Sequence, residues 1–256
     1  MTVWGPQGPA GGRPRRFQPD RNSLIIAAVA AVLIVVVISS HRISSDQLIY
    51  FLVLVPSIIL HEISHGVVAL AFGDSTAKRA GRLNLNPVRH IDPVGTLLVP
   101  AVLSLSGIGA YGWAKPVPVT PGNLRSPRNH VVLVSLVGPL TNFVLAALMG
   151  VCFVAAGGRS LLAGGYLVYQ PSLVQEIFYL AGFANIILGV FNLIPCPPLD
   201  GAAILERLLP SRYLPGYWNL QPFLMFLPFL LILLFHNAWA SLINQVLHWW
   251  LTLLGG

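Results

Sequence analysis

The stretch "LVPSIILHEISHGVVALAFG", residues 54–73, decides how the rest of the chain is read. Most of it is apolar enough to lie in hydrocarbon, yet His61, Glu62 and His65 sit in its middle. A charged side chain at the centre of a membrane span costs roughly 2.5–3.5 kcal/mol on insertion scales, so such residues are functional by default. His61 and His65 are four apart, which puts both imidazoles on one face of a helix, with Glu62 beside them. H-E-x-x-H on a helix is a zinc-binding pattern in which two histidines hold the metal and the glutamate serves as general base. A metal ion is also the partner that would compensate three clustered polar groups at that depth.

The composition agrees with a membrane setting. The chain has 256 residues, of which 55% are hydrophobic and only 9% charged, and its mean hydropathy is +0.74. Soluble domains carry about 25% charged residues, so a multi-span membrane protein is expected. The formal net charge of +7 comes without aromatic-basic stripes. It is therefore assigned to cytoplasmic loops rather than to nucleic-acid binding. Cys152 and Cys196 give no disulfide framework, and both are expected as free thiols.

Residues 1–22, rich in Gly, Pro and Arg, read as a disordered cytoplasmic tail. Residues 23–47 supply a first span and a loop. About six membrane segments are expected: Ser23–Ser40, Leu48–Gly73, Val94–Trp113, Val131–Ala156, Ile177–Pro195 and Leu220–Phe235. Gly95, Pro100, Gly107 and Gly109 interrupt the third, which suits a re-entrant or broken segment. Residues 213–256 form C-terminal spans or an interfacial helix, the tail Ala238–Leu254 ending near Trp249 and Trp250. The fold class is all-α and polytopic, with short membrane-associated strands at 82–86 and at 115–120, where "KPVPVTP" alternates.

A catalytic zinc needs a third protein ligand and an open position for water. Asp200 stands out in "FNLIPCPPLDGAAIL", after the fifth span and within a Pro-rich break that unwinds the chain. It would also serve as a helix N-cap. Cys196 and His90 are rival ligands on chemistry alone.

"HEISH" in a span together with "NLIPCPPLDG" resembles the site-2 protease family of intramembrane zinc metalloproteases, in its compact prokaryotic branch without a PDZ or CBS domain. "SLVGPLTN", Ser135 to Asn142, is similar to the family's G-P-x-x-N helix, and "GRLNLNPVRHIDPVGTLLVP" and "YGWAKPVPVTP" fit the same branch. The resemblance covers about residues 48–210 and makes residues 48–212 a membrane-embedded metalloprotease core. It implies one Zn²⁺ per chain on His61, His65 and Asp200, with Glu62 polarising a water. Asn142 and Asn192 would donate hydrogen bonds near the cleaved carbonyl. The implied activity is endoproteolysis of single-span membrane protein substrates within the lipid bilayer. The alternatives are a non-proteolytic relative that binds membrane segments, or a metal or solute transporter. Transporters tend to show paired halves, and no internal repeat is visible here.

A membrane helix satisfies its backbone hydrogen bonds internally, so a substrate must unwind before attack. The two alternating stretches offer an edge for it, with Leu83, Leu85, Lys115, Val117 and Val119 as candidate substrate contacts. The Arg-rich N-terminus places the active site toward the cytoplasm of a bacterial cell membrane, with residues 74–130 on that side or within the membrane.

Overall fold

The computed structural model describes residues 45–90, 92, 115–224 and 227–255. The N-terminal tail, the first expected span and the segment 94–113 lie outside the described residues.

The described chain is mostly helical. α1 spans Ser45–Ala71, and a short α2 covers Thr76–Arg79. α3 spans Pro127–Ala155, with Pro127 in its first turn, where a missing N–H costs nothing. A two-stranded hairpin follows, β1 (Leu162–Ala163) pairing antiparallel with β2 (Tyr166–Leu167). α4, Leu173–Asn192, starts at a capping box: Ser172 accepts from the Gln175 amide, and the Gln175 side chain accepts from the Ser172 amide. α5 (Ala202–Leu208), α6 (Leu214–Leu224), α7 (Leu227–Leu234) and α8 (His236–Leu253) complete the order.

Three helices among the described residues are long and apolar enough to cross a membrane: Leu48–Ala71 within α1, all of α3 and all of α4. They match the second, fourth and fifth expected segments. The sixth, Leu220–Phe235, falls across α6 and α7, neither of which reaches spanning length. Residues 225 and 226, between the two helices, lie outside the described residues.

α1, α3 and α4 pack against one another. Between lipid-embedded helices no hydrophobic drive exists, so close packing of small residues must hold them. A Cβ on Gly189 would meet the Phe143 ring at 2.7 Å, and one on Gly182 would meet Trp250 at 2.5 Å. The polarity of α3 is inside-out for a soluble helix. It buries Ser135 and Asn142 and exposes Leu133, Leu140, Val144, Leu148 and Val151. α8 leans on this bundle through Trp250 and Leu251, which cluster with Ala146 and Ile186.

Strands at 82–86 and 115–120 do not form. Pro116 and Pro118 cannot donate. The amides of Lys115, Val117 and Thr120 go to the His90 carbonyl, to Glu62 and to Asp74. The alternation instead marks burial: Val117 and Val119 are inside, against α1 and α3. The bond from the Lys115 amide to the His90 carbonyl, 2.8 Å long, joins the two flanks of the segment 94–113 at one end of the bundle.

Candidate metal centre

α1 carries His61, Glu62 and His65, all buried. Their four-residue spacing stacks the two imidazoles on one face, edge to face, with ring centroids 4.7 Å apart. The helix runs on to Ala71 and stops at Gly73, whose φ of 108° favours glycine.

α3 crosses directly over these rings. A Cβ on Gly138 would lie 2.5 Å from His65 Nε2 and 2.6 Å from His61 Cε1, so only glycine lets the helices come this close. Next to it, the Val134 carbonyl lies 2.6 Å from His65 Nδ1. A carbonyl only accepts, so Nδ1 carries the proton, and Nε2 of the neutral ring presents a lone pair. His61 Nδ1 lies 2.6 Å from Asn142 Oδ1, also on α3.

Asp200 arrives from the other side, on the turn between α4 and α5. This turn, Leu193–Gly201, contains a cis Pro197–Pro198 bond and closes with a 2.7 Å bond from the Gly201 amide to the Asn192 carbonyl. A side chain on Gly201 would strike the Leu193 and Ile194 carbonyls. Asp200 Oδ2 thereby reaches 3.1 Å from His61 Nε2 and 3.3 Å from His65 Nε2, and the two Nε2 atoms are 3.1 Å apart.

Both Asp200 oxygens are buried without a hydrogen-bond partner. Oδ2 is at ion-pair distance from both rings, without a hydrogen bond to either. Two imidazole lone pairs and a carboxylate converging in a dry site would repel one another unless a cation lay between them. Donors about 2.05 Å from a tetrahedral zinc lie about 3.3 Å apart, so the observed triangle fits one. Among the described residues, His61, His65 and Asp200 are the one group of three or more such side chains close enough to hold a metal.

The rivals are elsewhere. His90 is buried with Nε2 on the Asn84 carbonyl, and Cys196 is a buried free thiol that donates to the Leu224 carbonyl. Burial pushes the Cys196 thiol up. Cys152 is also free.

Glu62 Oε2 accepts from the Val117 amide at 2.8 Å. The segment that supplies this amide is clamped by Asp74. Asp74 accepts from the Thr76 amide and hydroxyl, from the Thr120 amide at 2.6 Å and from Asn123 Nδ2. Burial opposes ionisation of Asp74, but these donors outweigh it and hold its carboxyl below the usual range. In the sequence Asp74 stood only as part of a polar loop, and its role was missed.

The two asparagines expected at the cleaved carbonyl are engaged otherwise. Asn142 Nδ2 donates to Asn185 Oδ1 at 2.8 Å, and its oxygen faces His61. Asn192 Nδ2 turns back to the Leu188 carbonyl of its own helix, and its backbone braces the Asp200 turn. Of the candidate substrate contacts, Val117 and Val119 are buried, and Leu83 lies against the α1 backbone at Gly66. Leu85 and Lys115 are exposed. Asn185 and Ser57 are buried polar residues that sequence reading passed over, because a lone Asn or Ser in an apolar helix belongs to no spacing motif.

The profile of Peptidase family M50 matches residues 160–235. The chain is 40% identical over 161 residues to "Putative zinc metalloprotease YwhC" of Bacillus subtilis (strain 168), covering 62% of this chain and 68% of that one. It is 36% identical over 154 residues to Rip2 of Mycobacterium tuberculosis (strain ATCC 25618 / H37Rv), which bears the same kind of name, and there it spans 53% of the relative. "Zinc metalloprotease MJ0392" of Methanocaldococcus jannaschii is 28% identical over 170 residues, 66% of this chain and 36% of that one. No solved structure matches the chain significantly.

Proposed function

Because this chain belongs to peptidase family M50, the site-2 proteases, we propose that it is a zinc metalloprotease that cuts membrane-anchored proteins within or beside their spans. The observation that carries this reading is the convergence of His61, His65 and Asp200 on one dry point inside a bundle of three span-length helices. These three side chains are the proposed ligands. When bound, zinc supplies Lewis acidity that activates a water and polarises a peptide carbonyl. Glu62 then takes the proton of the attacking water and returns it to the leaving amine. The Val117 amide, aimed at Oε2, holds the carboxylate in place.

The surroundings support the proposed substrate class. A single-span helix that reaches this site must unwind locally to offer a carbonyl. The Lys115, Val117 and Thr120 amides, which an added strand would have used, serve the protein itself, so pairing along that edge is not proposed. The exposed Leu85 and Lys115 remain proposed contacts. We place the site toward the cytoplasm. Lys78, Arg79, Arg82, Arg89, Lys115, Arg125, Arg128, Arg207 and Arg212 belong to the loops and helix ends at the end of the bundle where α1 finishes and α3 begins. The Arg125 amide bonds to the Phe72 carbonyl, and Arg128 bonds to the Leu209 carbonyl, which ties these loops together. Arg159 follows the far end of α3. This is the charge bias of a cytoplasmic face.

The test is cleavage of a single-span reporter by the purified chain in lipid vesicles. Cleavage should stop in Glu62→Gln, stop with a chelator, and return with zinc. Cleavage by Glu62→Gln at the wild-type rate would refute the reading. Thiol labelling of cysteines placed at 123 and 160 tests orientation: 160 should react from outside and 123 only from inside.

A further inference from the structure

We infer that Asn185 and Ser57, whose side chains hydrogen-bond no proposed metal ligand, set which nitrogen of His61 carries the proton and so leave Nε2 bare toward the centre; the inference rests on the zinc reading above. A chain of buried hydrogen bonds runs from His61 through all three span-length helices. His61 Nδ1 lies 2.6 Å from Asn142 Oδ1 on α3. Asn142 Nδ2 donates to Asn185 Oδ1 on α4 at 2.8 Å. Asn185 Nδ2 donates to the Ala181 carbonyl at 2.8 Å and to Ser57 Oγ on α1 at 2.9 Å. Ser57 Oγ donates to the Val53 carbonyl at 2.8 Å.

An amide oxygen and nitrogen can be exchanged by a half turn, so the direction of such a chain has to be argued. Here it ends on two backbone carbonyls, which accept and never donate. The Ala181 carbonyl therefore demands the NH₂ of Asn185, leaving its oxygen toward Asn142. Two acceptors cannot face each other, so Asn142 must present its NH₂ to Asn185 and its oxygen to His61. Nδ1 of His61 must then carry the proton, which leaves Nε2 bare toward Asp200 and His65. The Val53 carbonyl takes the Ser57 proton and so keeps the hydroxyl lone pairs available to Asn185. A half turn of Asn142 would reverse the result: Nδ1 would accept, Nε2 would hold the proton, and the ring could not bind metal. His65 needs no such chain, because the Val134 carbonyl fixes it directly.

Asn185 and Ser57 are positioning residues. Partners behind a metal-bound histidine typically change metal affinity by about 10–100-fold. The experiment is zinc affinity by competition with a chromophoric chelator, on full-length protein in detergent, for wild type, Asn185→Ala, Ser57→Ala and Ser57→Thr. Thermal melting of the zinc-free proteins serves as the control for folding, and the visible spectrum of the cobalt-substituted proteins reports ligand geometry. Asn185→Ala should bind zinc about 10–100-fold more weakly and shift the cobalt bands. Ser57→Ala should fall between it and wild type, and Ser57→Thr should recover, since the hydroxyl is restored. Unchanged affinity and unchanged cobalt bands in both alanine variants would overturn the relay. Should Asn185→Ala fail to fold, equal affinity of Ser57→Ala and Ser57→Thr would overturn it alone. Absence of zinc binding by wild type would instead remove the metalloprotease reading on which the relay depends.

Discussion

The histidines and the aspartate meet at one point but come to it on different scaffolds. His61 and His65 ride on a single regular helix, and each ring has an acceptor behind its Nδ1. Asp200 rides on a turn rich in proline, and neither of its oxygens has a hydrogen-bond partner. One side is thus held from behind, and the other is held by its backbone. The lesson concerns what each can tolerate. A helix face fixes direction through residues on neighbouring helices, so its weak points are Gly138, Asn142 and Asn185. A turn fixes position through its own closure, so its weak points are Gly201 and the Asn192 carbonyl. The negative charge comes from the side that lacks other partners, which leaves the carboxylate wholly available to a cation.

The largest expected effect sharpens the helix side. Glu62→Gln removes the general base and leaves every proposed ligand in place, so reporter cleavage should fall about 10²–10⁴-fold while bound zinc stays at the wild-type level. Loss of zinc along with activity would mean that Glu62 shapes the centre instead of serving it. A smaller effect is expected from Gly138→Ala. The added methyl would press on both imidazoles, and zinc affinity should drop about tenfold or more, by comparison with partner residues that act on metal-bound histidines. Unchanged zinc affinity there would show that α3 can back away from the rings, and the contrast between a rigid face and an adjustable turn would fail.

Asp74 lies away from both scaffolds and tests whether the base has its own support. Asp74→Ala leaves four donors without their acceptor. It should cost about 2–4 kcal/mol of stability, given the worth of hydrogen bonds to charged groups. Cleavage should fall and zinc content should hold. The smallest effect is its pH dependence. The folded state lowers the Asp74 pKa, so its stabilisation is complete above the ordinary carboxylate value of about 4 and fades as pH falls below it. The gap in melting temperature between wild type and Asp74→Ala should narrow from pH 7 to pH 3. A constant gap would mean that Asp74 acts through packing alone.

How much of this could be read in the sequence depended on whether a residue belonged to a pattern. The His61–His65 spacing states its own geometry, because a helix repeats every 3.6 residues. Asp200 was visible through the Pro-rich break and the family resemblance, though its chemistry alone left Cys196 and His90 open. The alternation at 115–120 was legible as an extended segment, but its buried side and its partners were not. Its Val117, Thr120 and Lys115 amides go to Glu62, Asp74 and a loop carbonyl, and among the described residues no neighbouring strand is involved. Asn142 was singled out as a donor near the cleaved carbonyl; its oxygen faces the back of His61. Asn185, Ser57 and Asp74 were passed over because each acts through a partner 40 or more positions away in the chain. Leu220–Phe235 has the composition of a span and falls on α6 and α7, with residues 225 and 226 outside the described residues.

The most direct test of the central claim, that a helix and a turn together hold one metal ion, is the zinc content of purified Asp200→Ala beside wild type and Glu62→Gln. The account predicts one zinc per chain in wild type and in Glu62→Gln, and none retained through dialysis in Asp200→Ala. Full zinc occupancy in Asp200→Ala would contradict it.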